Sequence, residues 1–257
     1  MMPSSIATDS QKSDLIGKGP KAAALGLLKC RVIYMSDMNL NVLFEDNDIT
    51  VCVKPRGLLS EDAQNGEKGI IGLLSDRAGK PLHLLHRLDR NVSGVMVFAN
   101  NKKSAATLSK AIQDGRFYKE YLAITDGVPA EKSGVYKDLL FKDSKKNRSY
   151  VVNRMRKGVR EASLEYTVVK SNDSKSMVQV LLHTGRTHQI RVQFSSRKTP
   201  LTGDVKYGSK DKTTGDIALH SYRITFYHPV TNEKLVFSAE PDFDVYPWNV
   251  FGGLENA

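Results

Sequence analysis

The chain has 257 residues, enough for one large domain or two small ones, and we favour one. Thirty-eight Lys and Arg against 28 Asp and Glu give a formal net charge of +10, so a polyanion such as nucleic acid is a better partner than an acidic protein. The absence of an apolar run of roughly 18 residues argues against a membrane-spanning helix, and two cysteines without a CxxC pair argue against a disulfide framework or a structural zinc site.

The first segment, residues 1–40, contains Ser, Lys, Gly and Asp with little hydrophobic periodicity. This composition is typical of a flexible or loosely attached arm. The segment lacks the apolar core of a signal peptide, and Asp9 and Asp14 make an organellar transit peptide the less favoured alternative. We therefore expect a soluble, cytoplasmic protein.

The next stretches carry clear local signals. Residues 41–55, NVLFEDNDITVCVKP, predict a β-hairpin around the turn DND. IIGLLSDRAG predicts a helix that stops at Gly79, GVMVFA a buried strand, and SAATLSKAIQDG a helix with Gly115 just past its end. Five further strands are predicted at YLAIT, LEYTVV, SMVQVLL, YRITFY and KLVFSA, and one more helix from about Thr187 to Ser195.

Many strands with few helices, and no regular alternation between them, indicate an α+β fold. We expect a mixed, largely antiparallel sheet with flanking helices rather than a doubly wound sheet.

The segment from Lys142 to Arg160 concentrates the positive charge, with eight Lys and Arg against one acid, Asp143. Such a segment can follow a phosphate backbone. A solvated hairpin explains the same charges equally well.

The stretch HRLDRNVSG places Asp89 between Arg87 and Arg90, at the junction of a polar loop and a buried strand. A single Asp is usually a cap, a turn residue or a surface charge. Here, neighbouring arginines favour the ionised form and orient it. An oriented carboxylate can attack or stabilise an electron-poor carbon.

The stretch HTGRTHQIRVQF predicts a helix in which His188 and Arg191 share one face and Ile190 and Phe194 another. Arg191 could then project toward a partner acid. Alternatively, Arg191 is a surface arginine, and a structural role for His188 is favoured over a catalytic base.

Aromatic residues lie among cations in RFYKEYLAI, which is what an unstacked RNA base requires. Strand alternation puts Lys119 and Tyr121 on one face and Tyr118 and Glu120 on the other. Core packing is the alternative for Phe117 and at least one tyrosine.

Six stretches, in order, resemble the RluA-type pseudouridine synthases. They are ITVCVKPRGLLS, HRLDRNVSGVMVFA, KEYLAITDG, HTGRTHQIR, PLTGDVKYG and IALHSYRITFYHP. The resemblance implies the pseudouridine synthase fold in a catalytic domain spanning 41–245, followed by a C-terminal tail, 246–257. It also implies an enzyme that isomerises specific uridines in structured RNA, rRNA or tRNA, by flipping the base out of its stack. Relatives that carry a small RNA-binding domain before the catalytic one need more than the roughly 40 residues present here, so we expect a single catalytic domain.

Carried over by position, Asp89 is similar to the family's catalytic aspartate, Tyr121 to its active-site tyrosine and Arg191 to the arginine that pairs with the aspartate. Arg87 matches the residue that can occupy the gap left by the flipped base. With these, we predict further substrate contacts. They are Arg90, Lys119, Arg186 and His188.

Two departures from the family pattern bear on substrate fit. Val92 stands where most members have Thr, and SEDA, residues 60–63, replaces the usual end of the first turn.

The reaction suggested by the resemblance requires no cofactor or metal. The sequence has no P-loop, and His83 with His86 is a weak metal signal without nearby ligands. We expect RNA as the partner, no membrane association, no obligate protein partner and a monomer. A glycosidase would need a second carboxylate beside Asp89. The basic charge also suits a catalytically inactive RNA-binding or RNA-folding protein, or a generic basic binding module.

Overall fold

The computed structural model describes residues 40–213 and 215–254. Within them, eleven strands form one sheet flanked by three α-helices, and the predicted largely antiparallel α+β fold is confirmed. The arm predicted for residues 1–40 lies outside the described residues except for Leu40. In the predicted tail, Trp248 is 1% exposed and packs with Leu122 and Ile124 of the sheet.

The elements follow one another along the chain with short connections. The strands are β1 Asn41–Glu45, β2 Ile49–Lys54, β3 His83–Leu84, β4 Ser93–Ala99, β5 Tyr118–Asp126, β6 Ser133–Asp143, β7 Arg148–Val152, β8 Val159–Ser171, β9 Lys175–Leu182, β10 Leu219–Tyr227 and β11 Lys234–Ser238. The α-helices are α1 Ile70–Ala78, α2 Lys102–Gln113 and α3 Gln189–Ser196, and short 3-10 helices span Val205–Tyr207 and Trp248–Val250. No helix in the described part of the chain is long and apolar enough to cross a bilayer.

The sheet order is β1-β2-β4-β10-β5-β9-β8-β6-β7, with β3 paired to β4 and β11 to β10. Every one of these pairings is antiparallel except that of β4 with β10. The predicted hairpin is β1–β2, and the five other predicted strands correspond to β5, β8, β9, β10 and β11. Strands β3, β6 and β7 were not predicted.

Local sequence signals explain where the first two helices stop and start. Helix α1 ends at Gly79, whose φ of 63° is a conformation that glycine adopts at little cost. Helix α2 starts after Asn101, whose side chain accepts a hydrogen bond from the Ser104 N–H at 2.9 Å. Gly115 follows its end with φ 70°, as predicted.

The predicted start of the third helix is wrong by two residues. His188 has φ 55° and ψ 27°, a left-handed conformation that cannot belong to an α-helix, so α3 begins at Gln189. His188 and Arg191 therefore do not share a helical face. Ile190 and Phe194 are buried, as the predicted apolar face required.

Both faces of the central strands are covered, because neighbouring side chains alternate between two cores. Met96 and Phe98 pack in the cluster that contains Ile70 and Leu74 of α1 and Ile190 and Phe194 of α3. Val95 and Val97 pack in the cluster that contains Leu108 of α2. Tyr121 lies on the α1/α3 face, which is therefore the face that holds the predicted catalytic residues.

The loop that carries Asp89 is fixed by two polar side chains from the first turn. The fully buried Lys54 ammonium donates to the Arg90 carbonyl at 3.1 Å and to two carbonyls of the turn 55–58. The Ser60 hydroxyl donates to the Leu88 carbonyl at 2.7 Å and accepts from the Leu88 N–H at 3.0 Å. Main-chain bonds of this kind hold the loop rigidly against the sheet.

Gly94 closes the loop because β4 and β10 run side by side at this position. Its φ is 117°, and a Cβ built on it would lie 2.2 Å from the Ser221 carbonyl oxygen and 2.6 Å from the Ser221 nitrogen. Neither main-chain atom can move without separating the parallel pair. Only glycine fits this position.

We therefore predict that Gly94→Ala lowers the free energy of unfolding by about 2 to 5 kcal/mol, from backbone strain and steric overlap together. Urea denaturation measures the loss. Gly208→Ala is the matched control, because Gly208 has φ 105° with nothing within 4 Å of the added Cβ. Equal losses in the two variants would show that the contact with Ser221 is unimportant.

Candidate active site

A cleft of about 790 Å³ opens beside the sheet, and three stretches of chain line it. The first is the loop containing His86, Arg87 and Asp89; the second runs from the end of α2 into β5; the third is the segment 182–188 before α3. Tyr121 also lines this cleft. The three sequence motifs therefore meet at one place, as their predicted shared function required.

The Asp89 carboxylate lies at the cleft with its side chain 32% exposed. Its Oδ2 accepts a hydrogen bond from Arg191 Nη1 at 2.7 Å, and His188 Nε2 lies 3.6 Å from the same oxygen. Within residues 40–213 and 215–254, Oδ1 makes no hydrogen bond. One oxygen is thus held by the protein while the other is available to a bound molecule.

Arg191 is held in turn by a second carboxylate, that of Asp204. Its Nε donates to Asp204 Oδ2 at 2.6 Å and its Nη2 to Asp204 Oδ1 at 3.0 Å, a bidentate pair. Asp204 is 1% exposed and Arg191 6%. One guanidinium therefore joins a buried carboxylate to the carboxylate in the cleft, and its planar geometry sets the position of Asp89.

His188 is oriented by Tyr207, which approaches it from the far side. The Tyr207 hydroxyl accepts the Ser149 N–H at 2.8 Å and lies 2.9 Å from His188 Nδ1, which accepts its proton in the tautomer that directs Nε2–H toward the Asp89 carboxylate. The remaining proton of a neutral His188 is then on Nε2, toward Asp89. Burial lowers the pKa of His188 to about 4, despite the opposing charge of Asp89, so the ring is neutral near pH 7.

Tyr121 is 6% exposed and projects from β5 toward the same carboxylate. Burial and then the charge of Asp89 raise the pKa of its hydroxyl well above the ordinary value, so the phenol remains protonated. It offers an aromatic face and a hydroxyl next to Asp89.

The predicted substrate contacts divide into two groups. Lys119, Arg186 and Arg87 line the cleft together with His188. Arg90 does not line it, and its guanidinium forms a bidentate pair with Glu67 at 2.7 and 2.8 Å. A substrate contact by Arg90 stays a prediction. In the structure, Arg90 links the loop that carries Asp89 to the segment before α1 that carries Glu67.

Sequence reasoning missed Asp204 and Tyr207, although both lie in the quoted stretch PLTGDVKYG. A usable signal existed, since a buried arginine with three donor edges requires more than one acceptor. The choice between Asp204 and other acids depends on a contact across 13 residues of chain, and no local pattern identifies it.

The basic segment runs from the end of the β6–β7 hairpin's first strand through β7 to the start of β8, and its charged side chains are mostly exposed. Ser149 anchors it to the site, with its N–H on the Tyr207 hydroxyl and its Oγ on the Thr187 carbonyl at 2.6 Å. The segment is therefore solvent-exposed and also borders the site. Its exposure agrees with a solvated hairpin, and its position leaves it able to follow a phosphate backbone.

One group of potential metal ligands occurs in the described part of the chain, at Asp46, Asp48 and His228. Its polar atoms are already used by the protein. Asp46 Oδ2 bonds His228 Nε2 at 2.9 Å, and Asp48 Oδ1 accepts from the Ser104 hydroxyl at 2.6 Å. The group does not line the cleft and has the contacts of a structural turn.

Comparison with known proteins decides the family. The family described as RNA pseudouridylate synthase matches residues 48–196, more than half of the chain. The chain belongs to this family. The resemblance deduced from the motifs is confirmed, and the protein is an RNA pseudouridine synthase, an enzyme of the isomerase class.

Relatives and solved structures of this pseudouridine synthase agree. It is 33% identical over 210 residues to the RNA pseudouridine synthase YhcT of Bacillus subtilis, covering 78% of this chain and 68% of the relative. It is 31% identical over 235 residues to ribosomal large subunit pseudouridine synthase C of Buchnera aphidicola, covering 86% and 73%. The structure of human RNA pseudouridylate synthase domain containing 4 superposes with a TM-score of 0.65 at 26% identity, covering 79% and 89% of the two chains.

We predict that Arg191→Met lowers both the activity and the stability of this synthase. The substitution leaves the buried Asp204 without its cation, which costs about 3 to 5 kcal/mol for a fully buried pair. Urea denaturation and tritium release from uracil-labelled RNA measure the two effects. A variant that unfolds and reacts like the wild type would contradict the pairing.

Three buried histidines predict a pH dependence of stability. Burial lowers the pKa of His86 to about 3 and of His188 and His220 to about 4, all below the unfolded value near 6.5. As the pH falls from about 6.5 to about 4, the unfolded chain takes up protons that the folded protein cannot. Stability should therefore fall by up to about 1.4 kcal/mol per pH unit for each histidine.

Urea midpoints measured between pH 7 and pH 5 test this expectation. His188→Asn keeps an acceptor for the Tyr207 hydroxyl. It should reduce the slope of the unfolding free energy against pH by the contribution of about one proton. A midpoint that does not change over this range is the contradicting result.

Proposed function

We propose that this enzyme isomerises a uridine in structured RNA, with Asp89, Tyr121 and Arg191 as its catalytic residues. The observation that carries the proposal is the Arg191 guanidinium between Asp204 and Asp89, which leaves one Asp89 oxygen available in a cleft beside Tyr121. The reaction breaks the bond from uracil N1 to ribose C1′, turns the base and rejoins it through carbon 5. An oriented carboxylate suits this reaction because the ribose carbon becomes electron-poor as the base departs.

A uridine inside folded RNA reaches the cleft only after it has been flipped out of its stack. Tyr121 offers an aromatic face at the bottom of the cleft, and Arg87 lies at its rim with a side chain 56% exposed. We propose that Tyr121 stacks on the flipped base and that Arg87 enters the gap it leaves. The present salt bridge from Arg87 to Glu61 joins two exposed side chains and is weak enough to exchange for RNA.

Asp89 can serve in three ways: attack on ribose, removal of a ribose proton or attack on the uracil ring. Each requires the carboxylate to be ionised and directed into the cleft, and the Arg191 contact supports all three. His188, with its Nε2–H directed toward Asp89, is proposed to hold the carboxylate in place and contact the substrate, rather than act as a base.

The RNA backbone is proposed to run from the cleft along the β6–β7 hairpin, where the exposed lysines and arginines border the active site. Arg186 also lines the cleft and has its Nε bound to the Glu161 carbonyl, which leaves the rest of its guanidinium facing outward. A monomer without an obligate protein partner stays a prediction. A cytoplasmic location stays a prediction.

Ribosomal large-subunit RNA is the first candidate substrate, because a relative at 31% identity is named for it. Transfer RNA is the second. Carbodiimide-based mapping of pseudouridines in cells with and without the gene tests both. Loss of a signal from large-subunit ribosomal RNA supports the first candidate, and loss only from transfer RNA contradicts it.

A glycosidase and an inactive RNA-binding protein make different demands on the site. A glycosidase requires a second carboxylate facing the substrate, but Asp204 is 1% exposed, is bound to Arg191 and does not line the cleft. An inactive RNA-binding protein has no need to keep Asp89, Tyr121 and Arg191 together, and all three are present and in place.

We predict that Asp89→Asn lowers turnover by about 10³-fold or more, because the amide keeps the volume but loses the charge. RNA affinity should remain within a few-fold of wild type. Tritium release and filter binding measure the two effects, and Asp173→Asn at an exposed turn is the control. Wild-type turnover by Asp89→Asn would remove Asp89 from the mechanism.

For Tyr121 we predict that Phe and Ala separate its two roles. Tyr121→Phe keeps the ring and should bind RNA normally but react about 10² to 10⁴ times more slowly, because the hydroxyl moves a proton or aligns Asp89. Tyr121→Ala should also weaken binding, since one base stack contributes about 1 to 3 kcal/mol. A fully active Phe variant would leave Tyr121 as a stacking surface only, and a normal Ala variant would exclude that role too.

A further inference from the structure

Lys119 is an unusual lysine because it is buried in the wall of the active-site cleft. It lies on β5 two positions before Tyr121, so the two side chains project from the same face of the strand. Lys119 is 8% exposed, whereas Tyr118 on the opposite face is 45% exposed. It lines the same cleft as Asp89.

No protein group neutralises this ammonium within residues 40–213 and 215–254, where it has neither a hydrogen bond nor an ion pair. Burial lowers the pKa of Lys119, and no carboxylate opposes that effect. Other buried cations of this protein are compensated: Arg191 by two carboxylates and Lys54 by three carbonyls. A buried charge without partners destabilises the folded protein, so its contacts are expected from a ligand.

The surroundings of Lys119 provide donors and space rather than acceptors. Its Nζ lies 3.4 Å from the position that a Cβ at Gly185 would take. The segment before α3 can pass this close to the ammonium because residue 185 has no side chain. Nearby, His86 Nε2 accepts the Val97 N–H at 3.2 Å, which puts the ring proton on Nδ1. That Nδ1 is covered and has no partner in the described part of the chain.

An ammonium in the cleft wall without a protein acceptor fits a ligand that offers oxygen acceptors. Both the exocyclic oxygens of uracil and a phosphate meet this requirement. Depth favours the base, because the exposed Arg87 and Arg186 already occupy the rim, where the RNA backbone passes. A base stacked on Tyr121 would extend inward toward Lys119.

We propose that the Lys119 ammonium donates a hydrogen bond to an exocyclic oxygen of the flipped uracil and stabilises the negative charge of the departing base. When the C1′–N1 bond breaks, its electron pair leaves with the uracil and is shared by the two oxygens. Carbon 5 then bonds to C1′ and loses its proton, and N1 takes up a proton, so the product is an isomer. Lys119 keeps its protons throughout. The inference rests on the function proposed above and assigns stabilisation of the departing base to one residue.

The test compares wild type with Lys119→Met, which keeps most of the aliphatic stem but removes the charge. Two uracil-labelled RNAs, large-subunit ribosomal RNA and total transfer RNA, are first tested with the wild type. The RNA that the wild type modifies is then used throughout. Single-turnover rates at saturating RNA and RNA dissociation constants at several salt concentrations are measured, with the exposed Lys103→Met on α2 as the control. Wild-type turnover on the chosen RNA establishes the enzyme activity separately, so its failure is distinguishable from a failure at Lys119.

We expect Lys119→Met to react about 10² to 10³ times more slowly, the usual effect of removing one donor to a developing anion. Its dissociation constant should stay within threefold of wild type, and its melting temperature should not fall, because an uncompensated buried charge has been removed. The rate loss should be smaller on RNA made with 5-fluorouridine, because fluorine itself stabilises the departing base. Carbon 5 then keeps its fluorine and has no proton to lose, and water adds to the C6–N1 double bond instead, so the rate is measured as disappearance of 5-fluorouridine in nucleoside analysis.

Four results would overturn the proposal. Weaker binding with an unchanged rate and a salt dependence reduced by about one charge would identify a phosphate contact instead. An equal rate loss on uridine and 5-fluorouridine RNA would contradict charge stabilisation. A lower melting temperature would show that Lys119 has a structural role. An unchanged rate together with an unchanged affinity would exclude substrate contact.

Discussion

The ion pair between Arg191 and Asp204 is the interaction on which the site depends. Two buried groups of opposite charge, 2.6 Å apart at their closest atoms, satisfy each other where water cannot reach. Because the guanidinium is planar, this pair also fixes the direction of its remaining nitrogen, Nη1, which donates to Asp89. The Asp89 carboxylate, the proposed catalytic group, is thereby fixed by an interaction that lies beneath it, so substrate can occupy the cleft without disturbing the support.

The sheet brings the parts of this site together from distant regions of the chain. Strand β5 supplies Tyr121 and Lys119, while the loop before β4 supplies Asp89 and the segment after β9 supplies His188. The parallel contact between β4 and β10 is close enough to require Gly94 at the end of the loop that carries Asp89. Rigid support of this kind suits a reaction in which the base must turn while the carboxylate keeps its position.

Local chemistry made much of the fold predictable, whereas long-range pairing did not. Alternating β-branched runs and glycine helix ends are local signals, and they identified most strands and both early helices. In β6 and β7 the many charges hide the alternation, so these strands were missed. His188 has a left-handed backbone just before α3, and its ring contacts Tyr207, 19 residues later, a contact that no local pattern encodes. Asp89, Tyr121 and Arg191 were predictable through the family motifs. Asp204 and the pairing of Arg90 with Glu67 depend on contacts between separated segments, which no short pattern encodes.

The most direct test of this account is the single-turnover rate of Asp204→Asn at saturating RNA. Asp204 is buried beneath the cleft and its carboxylate binds Arg191 bidentately, so a change in rate at unchanged RNA affinity reports the support that Arg191 gives to Asp89. The account predicts a clear fall in rate with a dissociation constant close to wild type, in a variant shown by near-ultraviolet circular dichroism to be folded. A folded variant that reacts at the wild-type rate would contradict it.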